Sequence, residues 1–574
     1  MSVHPSLPID QVNGSPLNEE QRQYLTGFFA GVAARGFRFA DVEERPQAGK
    51  ATALEDLIFE ERVKRELHPL DAYPQLLENA ALNKAPDKED TFRFKWNGLF
   101  YLTPTKEAFM ARLRIPGGLL KTFQLREIAG VARELTTGYV QITTRANLQL
   151  RLIAPRDAAE VLRRIQNTGL HTRGAGADNI RNLTASPTAG IDPHELIDVM
   201  PFCQALAHVI INDRSFYDLP RKFNIALDGG GQISAVQDTN DIGAKAVKEG
   251  DQLFFRIALG GATGHKAFAR DLGVLVKPEE LIKVIVAIVR VFIANGNRSD
   301  RKKARLKHLL ESWSLERYLA ETEKLLGYEL KRSNTGTTSP EQANSELPSG
   351  HPQVGAHRQK QTGLNYLGVA VPVGQLTPKQ LLRIAEIADL YGSGEIRLTV
   401  WQNFLIPNLP DAYVETARKA LAKTGLQTST SHIRNGIIAC TGNSYCKFAQ
   451  SNTKSHALSL ADYLEKKLSL EKPINIHLTG CPNSCAQHYM GDIGLLGVKN
   501  RGEDAYHVFV GGGFGANQAV GRQVFSGVLA IELPQTLEKM LRGFQRHCKP
   551  GETFQQFTLR HELNSLQVIF STAE

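Results

Sequence analysis

Ile115-Pro116-Gly117-Gly118 and Val371-Pro372-Val373-Gly374 share one pattern 256 residues apart. Reading on from each without a gap, Leu120 meets Leu376, Gln124 meets Gln380, Leu125 meets Leu381, Ile128 meets Ile384, Ala129 meets Ala385 and Ala132 meets Ala388. Apolar positions three and four apart make the buried stripe of an amphipathic helix. The match continues through Gly138/Gly394, Thr143/Thr399 and Asn147/Asn403, in segments that alternate like strands. A second match, at offset 251, sets Asp241-Ile242-Gly243 on Asp492-Ile493-Gly494, Val247 on Val498 and Gly260-Gly261 on Gly511-Gly512. Chance supplies single coincidences, not a gap-free series in phase. The chain is therefore read as two homologous halves, each a strand–helix–strand unit followed by a larger α/β unit.

Outward from these repeats, 331–362 is rich in Ser, Thr, Gly, Pro, Asn and Gln, lacks apolar periodicity, and reads as a flexible linker. Residues 1–93 read as a helical arm, with Asn18 capping a helix that opens at Glu19-Glu20 and turns Tyr24, Leu25, Phe28, Phe29 and Val32 to one face. The expected repeats then occupy 94–170 and 363–430, and the larger units 171–330 and 431–574. A chain of 574 residues is too long for one core. Its 42% apolar and 22% charged content describes a globular protein. The most apolar stretch, Leu281 to Ala294, is interrupted by Lys283 and Arg290 and is too short to span a bilayer; it reads as a buried helix opened by Pro278-Glu279-Glu280. The start, Met1-Ser2-Val3-His4-Pro5, shows no secretory signal. Net charge is +9, but the basic residues are spread along the chain without a nucleic-acid motif, which suits anionic small molecules or an acidic protein partner better.

Chemistry concentrates in four of the six cysteines: Cys440 and Cys446 in Ala439-Cys440-Thr441-Gly442-Asn443-Ser444-Tyr445-Cys446, Cys481 and Cys485 in Thr479-Gly480-Cys481-Pro482-Asn483-Ser484-Cys485. Four thiolates serve an iron–sulfur cluster or a structural zinc ion. The first pair, five residues apart, is wide for a zinc knuckle, while the glycine and proline around Cys481 suit a tight turn about a bulky inorganic core. Cys203 and Cys548 stand far apart, a poor disulfide framework that points to a reducing compartment.

The Cys-x5-Cys and Thr-Gly-Cys-Pro-Asn-x-Cys pattern resembles the siroheme-dependent nitrite and sulfite reductases. That resemblance implies an α+β (mixed α/β) fold whose two pseudo-symmetric halves each carry a ferredoxin-like unit plus a siroheme- and cluster-binding α/β unit. It implies that Cys440, Cys446, Cys481 and Cys485 hold a 4Fe–4S cluster and that Cys485 joins it to siroheme. It further implies an anion pocket of Arg112, in Met110-Ala111-Arg112-Leu113-Arg114, Arg145, in Thr143-Thr144-Arg145-Ala146-Asn147, and Lys222. Arg114, two residues beyond Arg112, is expected on the same strand face. Trp401 takes the place of Arg145 in the other half, as when one copy alone keeps the chemistry.

Asn224, in Leu219-Pro220-Arg221-Lys222-Phe223-Asn224, carries the substrate choice. Sulfite reductases resembling the chain have a second lysine there; ferredoxin–nitrite reductases have asparagine, which suits a monoanion. The implied activity is assimilatory reduction of nitrite to ammonium with reduced ferredoxin as donor. Sulfite reduction by the same cofactors is the alternative, and a zinc-stabilised basic binding protein the distant one. Siroheme carboxylates are expected on Arg221, Arg181, Asn182, Arg305 and Lys307. A cytoplasmic monomer without nucleic-acid or membrane partners is expected.

Overall fold

The computed structural model describes residues 11–12, 15–16, 54–102, 107–333, 353–429 and 431–572. Contacts divide the chain into two compact units, Met1–Leu57 and Ile58–Glu574. In the first, Gln11–Val12 pairs antiparallel with Ser15–Pro16, and Leu54–Asp56 forms one 3-10 turn; the helix expected from Glu19 lies outside the described residues. Everything that follows concerns the second unit. No helix among the described residues is long and apolar enough to cross a membrane.

The 256-residue repeat builds two five-stranded sheets and the helix pair Thr122–Leu135 and Pro378–Tyr391. The matched positions Leu125, Ile128, Ala129 and Ala132, with Leu381, Ile384, Ala385 and Ala388, are all buried in one shared core. Gln124 and Gln380 each close the start of their helix, accepting from the N–H groups of Lys121 and Thr377 at 2.9 Å. The halves exchange strands. Leu119–Lys121 of the first half pairs with Glu395–Leu398 of the second, and Gln375–Leu376 of the second pairs with Val140–Ile142 of the first. Gly118 and Gly374 are the pivots: both have positive φ, and a Cβ on them would lie 2.5 Å from the Leu398 oxygen and 2.7 Å from the Ile142 oxygen.

Each larger unit is a mixed sheet. The first runs Thr184–Ala185, Ile225–Asp228 and Ile242–Glu249 in parallel, then Gln252–Leu259, Arg270–Val276 and Lys331–Arg332 antiparallel. The second repeats it with Ile437–Ala439, Ile476–Thr479 and Ile493–Asn500, then Glu503–Val510 and Arg522–Leu529. Near-continuous apolar runs such as Ile225-Ala226-Leu227 are what strands covered on both faces require. The helix Leu281–Asn295 follows the Pro278–Glu280 turn and is buried along most of its length, as its sequence predicts.

One expectation needs correction. The described ends of the linker, 331–333 and 353–362, are not loose: Lys331–Arg332 closes the first mixed sheet, and Gly355–Arg358 pairs with Leu364–Val369. Short edge strands lack the periodicity that would reveal them. From Phe59 onward the arm is helical, with Phe59–Glu66, Tyr73–Ala81 and Lys88–Arg93, and it packs into this unit. Val63 and Phe92 pack with Trp96, Ala177 and Tyr217, and buried Lys64 pairs with Glu61 at 2.6 Å and Asp218 at 3.1 Å.

Candidate active site

Strand ends and tight turns gather cations in one place. Arg112 ends the strand Ala108–Arg112; its Nη1 donates to the Ala175 carbonyl at 3.2 Å, and its guanidinium lies 4.6 Å from the centre of the Phe100 ring. Arg145 occupies the turn between Val140–Ile142 and Leu148–Ile153, where its N–H donates to Thr143 Oγ1 at 3.1 Å and Ala146 is left-handed. In the other half, the Trp401 N–H donates to Thr399 Oγ1 at 3.2 Å in the same turn, and the indole packs on Phe514. Arg145 Nη1 donates to Asn240 Oδ1 at 2.8 Å, and its Nη2 to the carbonyls of Asn182 and Ile225.

Lys222 and Asn224 flank Phe223, which bonds through its backbone to Asn179 and Arg181 and buries its ring 5.2 Å from that of Phe292. In an extended chain the two neighbours then share the opposite direction. The Asn224 N–H donates to Asp241 Oδ2 at 2.8 Å, and Arg305 clasps the same carboxylate through Nη2 at 2.7 Å and Nε at 3.2 Å.

Burial is the largest influence on the ionisation of Arg112, Arg145, Arg181, Lys222 and Cys485, yet each keeps open surface. Groups that are both deep and accessible line a hollow. Burial pulls Lys222 down to about 7, reinforced by Arg305 and Arg181 and opposed by Cys485. Arg145 falls to about 9 through burial, opposed by Asp241. Arg145 Nε, Arg181 Nε and Asn224 Oδ1 are buried without a hydrogen-bond partner among the described residues. Crowded cations with unused polar atoms form a receptor for anions.

The cysteine loops face this hollow from the second mixed sheet. Cys440 follows the strand Ile437–Ala439 and Cys481 the strand Ile476–Thr479. The Gly480 N–H donates to Cys440 Sγ at 3.2 Å, and a Cβ on Gly480 would lie 2.6 Å from that of Ala449, so the turn before Cys481 does require glycine. The Cys485 carbonyl accepts from Thr144 Oγ1 at 2.8 Å, which ties the last cysteine to the turn of Arg145. Burial pushes the Cys485 thiol up to about 12, with Cys440 next in effect and Lys222 opposing. Cys481 and Cys446 add to this upward push on Cys485, which the positive charge of iron would offset. Among the described residues no three His, Cys, Asp or Glu side chains gather as ligands of one metal ion, the arrangement that the zinc alternative needs. A cubane cluster takes one thiolate at each of four irons, so its ligands need not converge on a point. The residues fit a 4Fe–4S cluster, and the cationic hollow beside Cys485 fits a polycarboxylate such as siroheme.

Several expected contacts are otherwise engaged. Asn182 is buried and bonds the backbone of Ile115, Arg145 and Ala146, leaving no side-chain group for a cofactor. Arg305 is locked on Asp241, and Lys307 pairs with Glu311 one helical turn on, at 2.7 Å. Arg301 makes two 2.8 Å bonds to Asp178, leaving Arg221, 3.8 Å from that carboxylate and a third exposed, as the freer cation. A basic run cannot reveal such distant acids. Arg181 lies where it is expected but donates to the carbonyls of Ala175 and Ala177. Arg114 lies past the strand end and is buried, its guanidinium spent on the carbonyls of Arg173, Arg181 and Ile180. His488 is buried against Ser484, a structural histidine. Asp241 and Asn240 were missed as site residues; the repeat marks Asp241, and only the fold shows that it faces Arg305.

Comparison with known proteins agrees with this geometry. The chain matches the nitrite and sulphite reductase 4Fe-4S domain over residues 176–330 and 429–560, and the nitrite/sulfite reductase ferredoxin-like half domain over 101–168 and 357–424. Each profile matches twice, once in each half. It is 37% identical over 495 residues to the ferredoxin–nitrite reductase of Synechococcus elongatus, covering 84% of this chain and 95% of that one. It is 32% identical to the assimilatory ferredoxin-dependent nitrite reductase of Haloferax mediterranei, covering 81% and 84%. The solved structure of the Mycobacterium tuberculosis NirA protein superposes with a TM-score of 0.81 at 29% identity, over 89% of this chain and 98% of that one. The chain belongs to the nitrite and sulphite reductase family.

Proposed function

We propose that this chain is an assimilatory nitrite reductase that takes nitrite to ammonium with six electrons from reduced ferredoxin. What carries the substrate reading is a neutral amide among cations: Asn224, its Oδ1 without a partner among the described residues, stands two residues from Lys222 and shares Asp241 with Arg305. When bound, the 4Fe–4S cluster and siroheme supply the electrons and the iron that takes the substrate nitrogen. Cys440, Cys446, Cys481 and Cys485 would hold the cluster, and Arg221 and Arg181 are the cations best placed for siroheme carboxylates.

The chain's own groups do the rest. Arg112 and Arg145 orient the nitrite oxygens through guanidinium N–H groups. Lys222, with a proton affinity brought near neutrality by burial, delivers protons from Nζ to the oxygens that leave as water. Asn224 holds the anion without adding a charge. Arg305 acts through Asp241 to fix the Asn224 backbone and so positions rather than touches substrate.

Steady-state assays of the purified enzyme with nitrite and sulfite side by side test this reading. A preference for nitrite is expected; a preference for sulfite overturns the substrate assignment. The visible spectrum tests the cofactors, because a colourless protein with zinc and no iron would sink them. Six free cysteines suit the reducing interior of a cytoplasm, and size-exclusion chromatography should show a monomer.

A further inference from the structure

Arg151 and Lys454 are buried cations that the chemistry above does not use. Arg151 is 3% exposed, on the strand Leu148–Ile153. Its Nε donates to Gln141 at 2.9 Å, and its Nη2 to Gln149 and to Thr441 Oγ1, the latter at 2.6 Å. Lys454 is 7% exposed, in the first turn of the helix Thr453–Lys467. Its Nζ donates to the carbonyls of Val373 and Ala439. All these partners are neutral, and neither cation forms an ion pair with a carboxylate among the described residues. A buried charge without a counter-charge costs several kcal/mol. A lysine in the first turn of a helix also opposes the helix dipole.

The place of these contacts is telling. Thr441 follows Cys440 and Ala439 precedes it, so the two cations grip the chain on either side of one cysteine. Thr453, the neighbour of Lys454, donates to the Cys440 carbonyl at 2.8 Å. Burial lowers both cations; Cys440 is the main opposing influence on Lys454, whereas on Arg151 it follows Tyr139 and Cys446.

The pseudo-symmetric counterpart of this site, where Pro407 stands at the Arg151 position, supplies an internal control. At the 256-residue offset, Tyr139 and Gln141 correspond to Glu395 and Arg397. Arg397 is also buried, and it binds the Pro187 and Ala189 carbonyls, but it pairs with Glu395 at 2.7 Å. In the helix Met200–Asn212 the buried stripe Met200, Cys203, Leu206, Ala207 and Ile210 matches Lys454, Ala457, Leu460, Ala461 and Leu464, so Lys454 corresponds to Met200, a neutral buried thioether. At the loop without the cysteines, 187–189, the buried arginine has an acid, and the position equivalent to Lys454 is uncharged. Where the cysteines lie, both cations are present and the acid is missing.

We infer that Arg151 and Lys454 are the built-in counter-charges of the iron–sulfur cluster, clamping the Cys440 loop and favouring the cluster's more negative, reduced state. This rests on the reading of the four cysteines as cluster ligands. Charge and hydrogen bonding about the ligating sulfurs are recognised levers on cluster potential.

Potentiometric titration of the holoenzyme, followed by the EPR signal of the reduced cluster, tests it. Arg151→Gln and Lys454→Met should each lower the reduced-to-oxidised ratio at fixed poise about tenfold, ~59 mV for one electron. Arg151→Lys and Lys454→Arg should stay within about twofold of wild type, as should the paired control Glu395→Gln/Arg397→Gln. Neutral variants that match wild type, or charge-keeping variants that shift as far as neutral ones, overturn the inference. If the neutral variants purify without cluster, iron and acid-labile sulfide decide: retention in the charge-keeping variants supports the inference, and equal loss overturns it. A wild-type enzyme with no cluster signal would instead overturn the cysteine assignment beneath it.

Discussion

Two aspartates at equivalent positions show how much a single partner changes a residue. Asp241 and Asp492 both accept a backbone N–H at 2.8 Å, from Asn224 and Asn475 respectively. Asp241 also has Arg305; Asp492 leans on Asn475, and burial lifts it from 3.8 to about 6. A carboxyl whose folded pKa is raised binds its proton more tightly in the folded state. Its contribution to stability is therefore present below about pH 4 and is lost as pH rises through 6. Asp492→Asn keeps an acceptor oxygen and removes the buried charge. The variant should be more stable than wild type at pH 7.5, by at most ~3 kcal/mol, with the gain shrinking as pH falls toward 4. Thermal midpoints across that range check this, and a difference flat in pH would contradict it. At Asn224 the backbone is held by Asp241 while the side-chain oxygen is left over, so Asn224→Lys adds charge without breaking a bond. The nitrite-to-sulfite ratio of kcat/KM should fall by about tenfold or more; an unchanged ratio would show that selectivity lies elsewhere.

At the scale of elements, the turns before the two central helices set the architecture. Gly118→Ala needs a left-handed alanine and also drives its Cβ to 2.5 Å from the Leu398 oxygen on an exchanged strand partner. Gly138 has φ +82 with nothing within 4 Å of a new Cβ. The first substitution should cost about 3 kcal/mol and the second about 1. Equal losses in chemical denaturation would mean that strain in φ, not the strand exchange, dominates. Sequence made the helix pair legible, because four apolar positions recur in phase on each and all eight meet in one core. The exchange itself was hidden: Leu119–Lys121 and Gln375–Leu376 are too short to show a period, and nothing local tells a strand whose sheet it joins. Arg151 was hidden for a related reason. Leu148-Gln149-Leu150-Arg151 alternates like a half-exposed strand, yet both faces are covered. Arg112, Arg145, Lys222 and the cysteine loops stand out in the sequence as proposed site residues because their motifs are local. The partners of Arg305 and Asn182 could not be read from the sequence, because Asp241 and Ile115 lie 64 and 67 residues away in the chain.

For the whole molecule, the duplication has become a division of labour. The first half supplies the cations and the second the thiols, and each contributes an edge strand to the other's sheet. Contacts across the halves also reach the site: Thr144 bonds the Cys485 carbonyl, Arg151 bonds Thr441, and the Gly515 N–H donates to Asp238 Oδ2 at 2.7 Å. A half expressed alone would expose the edge left by the missing strand and the apolar face of its central helix, now buried against the other helix. The connection between the halves is a different matter, since the composition of 334–352 shows no apolar pattern to anchor a core. Cutting the chain there should leave the assembly standing. The two halves produced together from separate reading frames should purify as one complex with the visible spectrum and nitrite turnover of the intact chain. Either half produced alone should be insoluble or unfold without a cooperative transition. A single half that is soluble and melts cooperatively would show that the exchanged strands and the shared helix pair are incidental to folding rather than its condition.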